Sequence, residues 1–210
     1  MSRVLKLLSP VMLFGLILTG CTGNLLESKV EAPQVYVLRN TAAGAASTAW
    51  PVQLSIAISA VAPGLDTNRI AVLRNNNQLD YFYGARWGGT APQVVQSFLV
   101  ALLQSQQGYR NVVADPARVD ADYILDVELR QFQAEYAGNS DSPVVQVELA
   151  ATVFEVKSRK TVTTLHASAS APAKENRLSA VIAAFQLATQ TASMDLSEQL
   201  GASFSKTLLK

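Results

Sequence analysis

A two-residue rhythm runs through this chain and leaves little freedom in how it can fold. Val52, Leu54, Ile56, Ile58 and Ala60 alternate with Gln53, Ser55, Ala57 and Ser59. Tyr123, Leu125, Val127 and Leu129 alternate with Asp122, Asp126, Glu128 and Arg130, with Ile124 the exception. Val145, Val147, Leu149, Ala151 and Val153 alternate with Gln146, Glu148 and Thr152. Successive side chains of a strand point to opposite faces, so each segment reads as a strand with one face buried. Such a sheet needs something to cover its apolar side.

Two helical segments supply the cover. Thr90 is placed to cap a helix with Pro92 in its first turn, and Val94, Val95, Phe98, Leu99, Leu102 and Leu103 follow at helical spacing to about Gln107, where Gly108 ends the run. From Asn176 onward, Leu178, Val181, Ile182, Phe185, Ala188, Ala192, Leu196, Leu200, Phe204 and Leu208 keep one stripe. Thirty helical residues would extend about 45 Å, more than a domain of this size usually needs. The spacing therefore predicts either a break near Ser193 or Gly201 or an end that projects toward a partner.

Shorter strands are read at 34–38, in a hairpin over 69–83 turned by Asn75, Asn76 and Asn77, and at Val112-Val113. A basic turn, Lys157-Ser158-Arg159-Lys160, joins 145–153 to a returning strand over 161–171 as an antiparallel hairpin. The expected architecture is a single α+β domain: a mixed or mostly antiparallel sheet of five to seven strands, with two main helices packed on one face.

The first residues belong to something else. Arg3 and Lys6 precede the apolar run Val11 to Leu18, and small residues lead to Cys21, the layout of a secretory signal peptide. That run is shorter than the ~20 apolar residues a spanning helix needs. Cys21 is the only cysteine among 210 residues, so no intramolecular disulfide is available. The string Leu18-Thr19-Gly20-Cys21 resembles the lipobox of bacterial lipoproteins, which implies cleavage before Cys21 and acylation of its sulfur. The competing reading is an uncleaved membrane anchor with an incidental cysteine. The division expected is a signal peptide over 1–20, a lipidated start and flexible tether over 21–33, and a domain over 34–210. Thr22, rather than Asp, follows the cysteine, which by the lipoprotein sorting rule implies the periplasmic face of the outer membrane.

Charge narrows the function classes. The first twenty residues hold two of the 17 basic side chains and none of the 16 acidic ones, so the mature chain is close to neutral. It has no electrostatic footprint for nucleic acid. Charged residues make up only 16% of the chain, a composition weakly defended against association and therefore suited to partner contacts.

Catalytic constellations are scarce. His166 is the sole histidine, which rules out a multi-histidine metal site within one chain, and it lies in a strand without a G-x-S-x-G nucleophile motif. It reads as an outward strand histidine. Asp120, Asp122, Asp126 and Glu128 share a strand face and could be offered as paired acids, although a solvated face produces the same pattern. No phosphate-cradling glycine motif occurs. The sequence thus predicts no catalytic residue, cofactor or metal. Tyr81-Phe82-Tyr83 with Arg86-Trp87 remains, readable either as core packing or as an exposed anchor in which Tyr83, Arg86 or Trp87 meets a partner.

The order of these pieces resembles a known family. Tyr36-Val37-Leu38, then Val61-Ala62-Pro63-Gly64-Leu65-Asp66, Arg69-Ile70, and Tyr83 and Trp87 ahead of an amphipathic helix, are similar to the ABC-type transport auxiliary lipoproteins, the family of the Pqi-system lipoprotein. The similarity extends over the mature chain. Where many relatives carry an acidic residue and Pro after the tryptophan, this chain has Gly88-Gly89-Thr90-Ala91-Pro92. The resemblance implies a non-catalytic periplasmic lipoprotein of a lipid-trafficking system, docking an MCE-domain protein at the outer membrane and, through it, an inner-membrane ABC transporter. Ring-like homo-oligomers occur in the family. Two other readings stay open: a lipid carrier with its own apolar cavity, and a hydrolase using the Asp122 face.

Overall fold

A computed structural model of the protein describes residues 32–40, 44–46, 48–74, 77–114, 121–136, 138 and 140–208. The chain divides into units Met1–Ala32 and Pro33–Lys210. The expected signal peptide, Cys21 and nearly all of the tether lie outside the described residues, as does Asp120.

Eight strands form one sheet: β1 (Gln34–Tyr36), β2 (Trp50–Val61), β3 (Arg69–Leu73), β4 (Leu79–Trp87), β5 (Tyr109–Ala114), β6 (Tyr123–Glu135), β7 (Val144–Glu155) and β8 (Lys160–Pro172). The helices are α1 (Ala91–Gln106) and α2 (Leu178–Leu208). The fold is α+β in a single unit with a mixed sheet. It holds one strand more than the expected upper bound, because the short segments β1 and β5 both pair, each in parallel, at opposite ends of the sheet path.

The sheet is organised around β6. One edge of β6 pairs antiparallel with β7 along its whole length, and β7 pairs antiparallel with β8. The other edge is shared: β2 runs parallel to Tyr123–Leu129, and β3 takes over at Ala134 and Glu135. A register shift between Leu129 and Gln131 leaves Arg130 as an extra residue in β6. One extra residue reverses which face later side chains meet. Buried positions accordingly switch from Tyr123, Leu125, Val127 and Leu129 to Phe132 and Ala134.

Both helices cover the same apolar face. The amide of Thr90 donates to Gln93 Oε1 at 2.9 Å, which fixes the start of α1. At its other end Gln107, rather than Gly108, takes the left-handed conformation, at φ 55°. Gly108 is required for a different reason: a Cβ there would come within 2.8 Å of Ala46 Cβ.

α2 neither breaks at Ser193 or Gly201 nor swings away before Phe204, which is fully buried. Its 31 residues extend about 46 Å, and the 13-residue strand β8 on which it packs extends about 43 Å. The long helix fits because the strands beneath it are equally long.

Two ring clusters fill the space between the layers. Trp87, Phe132 and Phe185 have centroids 5.0–5.4 Å apart, and Phe204 lies within 4.9–6.3 Å of Trp50, Tyr109 and Tyr123.

Candidate functional site

The face of the sheet away from the helices carries a chain of charges across three strands. Arg130, freed from the ladder by the β6 bulge, donates from Nη2 to Glu128 Oε2 at 3.0 Å, and its Nη1 lies 3.8 Å from Glu148 Oε1. Glu148 also meets His166 Nε2 at 3.0 Å, so one carboxylate of β7 links an arginine on β6 to a histidine on β8. The hydrogen bond to Glu128 and that carboxylate's charge hold the Arg130 guanidinium above its ordinary pKa, with Glu148 adding to the effect against a smaller opposing cost of desolvation. Arg130, Glu128 and His166 line a shallow concavity of about 420 Å³ with Ser59, Asp126 and Thr152.

The register of the hairpin explains how these residues meet. Glu148 pairs with Ser168 and Ala150 with His166, so Glu148 and His166 are diagonal neighbours on one face. Reasoning from the sequence placed His166 correctly on an outward face but missed Glu148 and Arg130 as its company. Counting back from the Lys157–Lys160 turn would have set His166 opposite Leu149; the register shift between Val153 and Phe154 brings it beside Glu148. Arg130 depended on the bulge.

The carboxylates singled out from the sequence sit in different surroundings. Asp122 sits at the entry to β6, where its Oδ2 accepts from the Gln53 amide at 2.8 Å and from Arg110 Nη2 at 2.9 Å. It pins β2 and β5 to the start of β6. Glu128 is occupied by Arg130. Asp126 lies between them with Oδ1 covered and without a hydrogen-bond partner among the described residues. No group of three or more His, Cys, Asp or Glu among the described residues is placed to hold a metal ion.

The aromatic cluster divides. Trp87 is 1% exposed and packs against Phe132 and Phe185, which corrects its candidacy as an exposed anchor: it faces the helix layer, where α2 covers it. Tyr83 is 93% exposed. The cause is a wide irregularity in the hairpin, where Ile70 alone separates Arg69 from Ala71 while Phe82 to Ala85 separate their partners Tyr81 and Arg86. Gly84, at φ 66°, lets the surplus backbone turn outward without a Cβ clash. Arg86 is exposed on the open face, directly opposite Arg69.

The eight-stranded mixed sheet covered by two helices on one face invites comparison with known proteins. The model of a family described as the ABC-type transport auxiliary lipoprotein component matches residues 36–197. The chain belongs to this family. As a member it is an auxiliary lipoprotein of ABC-type transport, a class tied to the membrane by lipid. A crystal structure of a DUF330-family protein from Xanthomonas campestris superposes with TM-score 0.70 at 24% identity, covering 86% of this chain and 99% of the other. A second crystal structure, of an uncharacterised protein, gives TM-score 0.62 at 15% identity over 81% of this chain and 99% of the other. These likenesses establish the shared fold. No curated protein matches the sequence significantly. Among the described residues of the auxiliary lipoprotein, no helix is long and apolar enough to cross a membrane.

Proposed function

We propose that the protein is a non-catalytic docking subunit, acylated at Cys21 and held at the periplasmic face of the outer membrane, that receives an MCE-domain protein coupled to an inner-membrane ABC transporter. The observation that carries this reading is the packed interior of a family domain. The volume that a lipid carrier would need between sheet and helices is taken by Trp87, Phe132 and Phe185 at one end and by Trp50, Tyr109, Tyr123 and Phe204 at the other. Lipid or partner must then be met on the outside.

Carboxylates occupied by partners support the non-catalytic reading, with Asp126 the exception among the acids singled out. Asp122 is engaged by Gln53 and Arg110, Glu128 by Arg130, and Glu148 by His166, which leaves Asp126 a single disengaged acid where hydrolysis by a carboxylate pair would use two. Replacing Asp122, Asp126 and Glu128 together by Ala should then leave function dependent only on how well the variant folds. The sparse charge of the chain also suits a protein that binds neighbours.

The test is association in intact envelopes. Full-length protein crosslinked in cells and purified in detergent should bring down an MCE-domain protein, and Cys21→Ser should release the chain from membranes and abolish the capture. Consistent failure to crosslink any MCE-domain protein in intact envelopes would overturn the reading.

A further inference from the structure

One edge of the sheet is built unlike the rest. Val35, Arg86 and Arg69 stand in a row across β1, β4 and β3, in register and exposed, on the face away from the helices. Two guanidinium groups directly opposite each other in an antiparallel pair repel. Neither Arg69 nor Arg86 forms an ion pair with a carboxylate among the described residues. Arg69 instead lies over the Tyr81 ring at 3.8 Å. Among the described residues the pair is a local positive charge with no carboxylate in an ion pair with it.

Apolar groups border it. Val35 and Val37 are 54% and 55% exposed, and Tyr83 projects at 93%. β1 ends the sheet path, and it pairs parallel with β4 with Gln34 opposite Ala85. Tyr83 precedes Ala85 by two residues, so it lies toward the end of β4 at which the chain coming from Cys21 enters β1. Twelve residues lie between Cys21 and Gln34, and the thirteen steps along the chain reach at most about 45 Å at ~3.5 Å per residue.

We propose that this edge rests on the surface of a bilayer containing anionic phospholipid, with Tyr83 and Val35 entering the headgroup region and Arg69 and Arg86 meeting the phosphates. Tyrosine has an apolar ring and a polar tip and settles at membrane interfaces. Arginine takes phosphate oxygens through two parallel hydrogen bonds, and cations near an anionic surface each add about five-fold in affinity. Such a patch is weak alone, but a short tether keeps it at an effective concentration of order millimolar at the surface. The tether is then more than a leash: docking would orient the strands, lifting β8 and the charge chain at Glu148 away from the lipid. This inference rests on the acylation of Cys21, and not on the identity of the docked partner.

The experiment uses the full-length acylated protein in vesicles of phosphatidylethanolamine with phosphatidylglycerol. Acylation consumes Cys21, so Val35→Cys on the docking edge, or Ser168→Cys on β8, offers the only free thiol for an environment-sensitive dye. Flotation of the vesicles reports the anchor independently. The expected result is a blue shift and quenching by bromine-bearing lipids at position 35 and neither at position 168. Arg86→Gln should weaken the quenching equilibrium about five-fold, Tyr83→Ser should weaken it further, and added salt should act in the same direction on the unmodified edge. Vesicles that float while the dye at 35 stays in water would overturn the proposal alone. A blue shift without lipid quenching would overturn it in favour of a protein cover, including a second copy of this chain. Loss of flotation would overturn the acylation reading and this proposal with it.

Discussion

The two faces of this sheet are made from alternate residues of the same strands, yet different physics holds them. On the covered face Phe185 lies 5.0 Å from Phe132 and 5.1 Å from Trp87, and all three rings are essentially removed from water. On the open face Arg130, Glu128 and His166 each keep about half of their side-chain surface in solvent while forming ion pairs. Burial acts through area and packing and is lost whole when a ring is removed. Exposed ion pairs act through a field that water and salt weaken. The comparison teaches that the open face is free to change for partners at little cost to the fold.

The contrast can be broken by substitution. Phe185→Ala should cost about 3–5 kcal/mol in chemical denaturation, because the cavity opens between Trp87 and Phe132, which the backbone cannot close. A smaller loss would mean that α2 collapses onto the sheet. Next is Ala188→Leu, one turn further along the buried stripe of α2. Its added bulk should cost about 1–3 kcal/mol where helix and sheet are already in contact.

A pH scan sharpens the same contrast. Burial pushes the Tyr109 phenol well above its ordinary value near 10. Burial raises Tyr123 as well, helped by the charges of Glu155 and Asp122. A group whose proton is held more tightly in the folded state contributes fully below its unfolded pKa, and stability falls as pH rises beyond that value. Thermal denaturation should therefore show stability level up to about pH 10 and declining above it, with Tyr109→Phe making the decline shallower. The smallest effect belongs to the open face. Glu148→Gln should cost under about 1 kcal/mol in the same assay, because Arg130 keeps Glu128 and His166 remains half exposed. A loss comparable to Phe185→Ala would show that the charge chain is structural after all.

The strands and helices were legible because their signals are local. Period two marked β2, β6 and β7, the basic turn Lys157–Lys160 marked the return into β8, and helical spacing with a Thr90 start marked α1. Failures came where one residue changes the phase. Nothing in the string Leu129-Arg130-Gln131 announces an extra residue, so the inward positions Phe132 and Ala134 extended β6 beyond what alternation predicted. The unbroken length of α2 was misjudged for a related reason: the helix was measured against a typical domain rather than against the long strands beneath it.

Site residues divided along the same line. Tyr83 and Trp87 lie four residues apart in one aromatic cluster, and composition could not separate them. The widened hairpin and Gly84 turned Tyr83 to solvent, while α2 closed over Trp87. Arg69 and Arg86 are 17 positions apart and become neighbours only through strand register.

By itself the sequence determined that this chain makes a one-sided sheet, that two amphipathic helices cover it, and that a processed, cysteine-bearing start is expected ahead of the domain. These follow from periodicities of two and 3.6 residues and from short processing signals, which the chain carries along its own length. Tertiary structure decided which aromatic is core and which is surface, which carboxylates find cations, and where two arginines are forced side by side. Those outcomes depend on bulges, strand order and register, which set distances between residues remote in the chain and leave little trace in either neighbourhood alone.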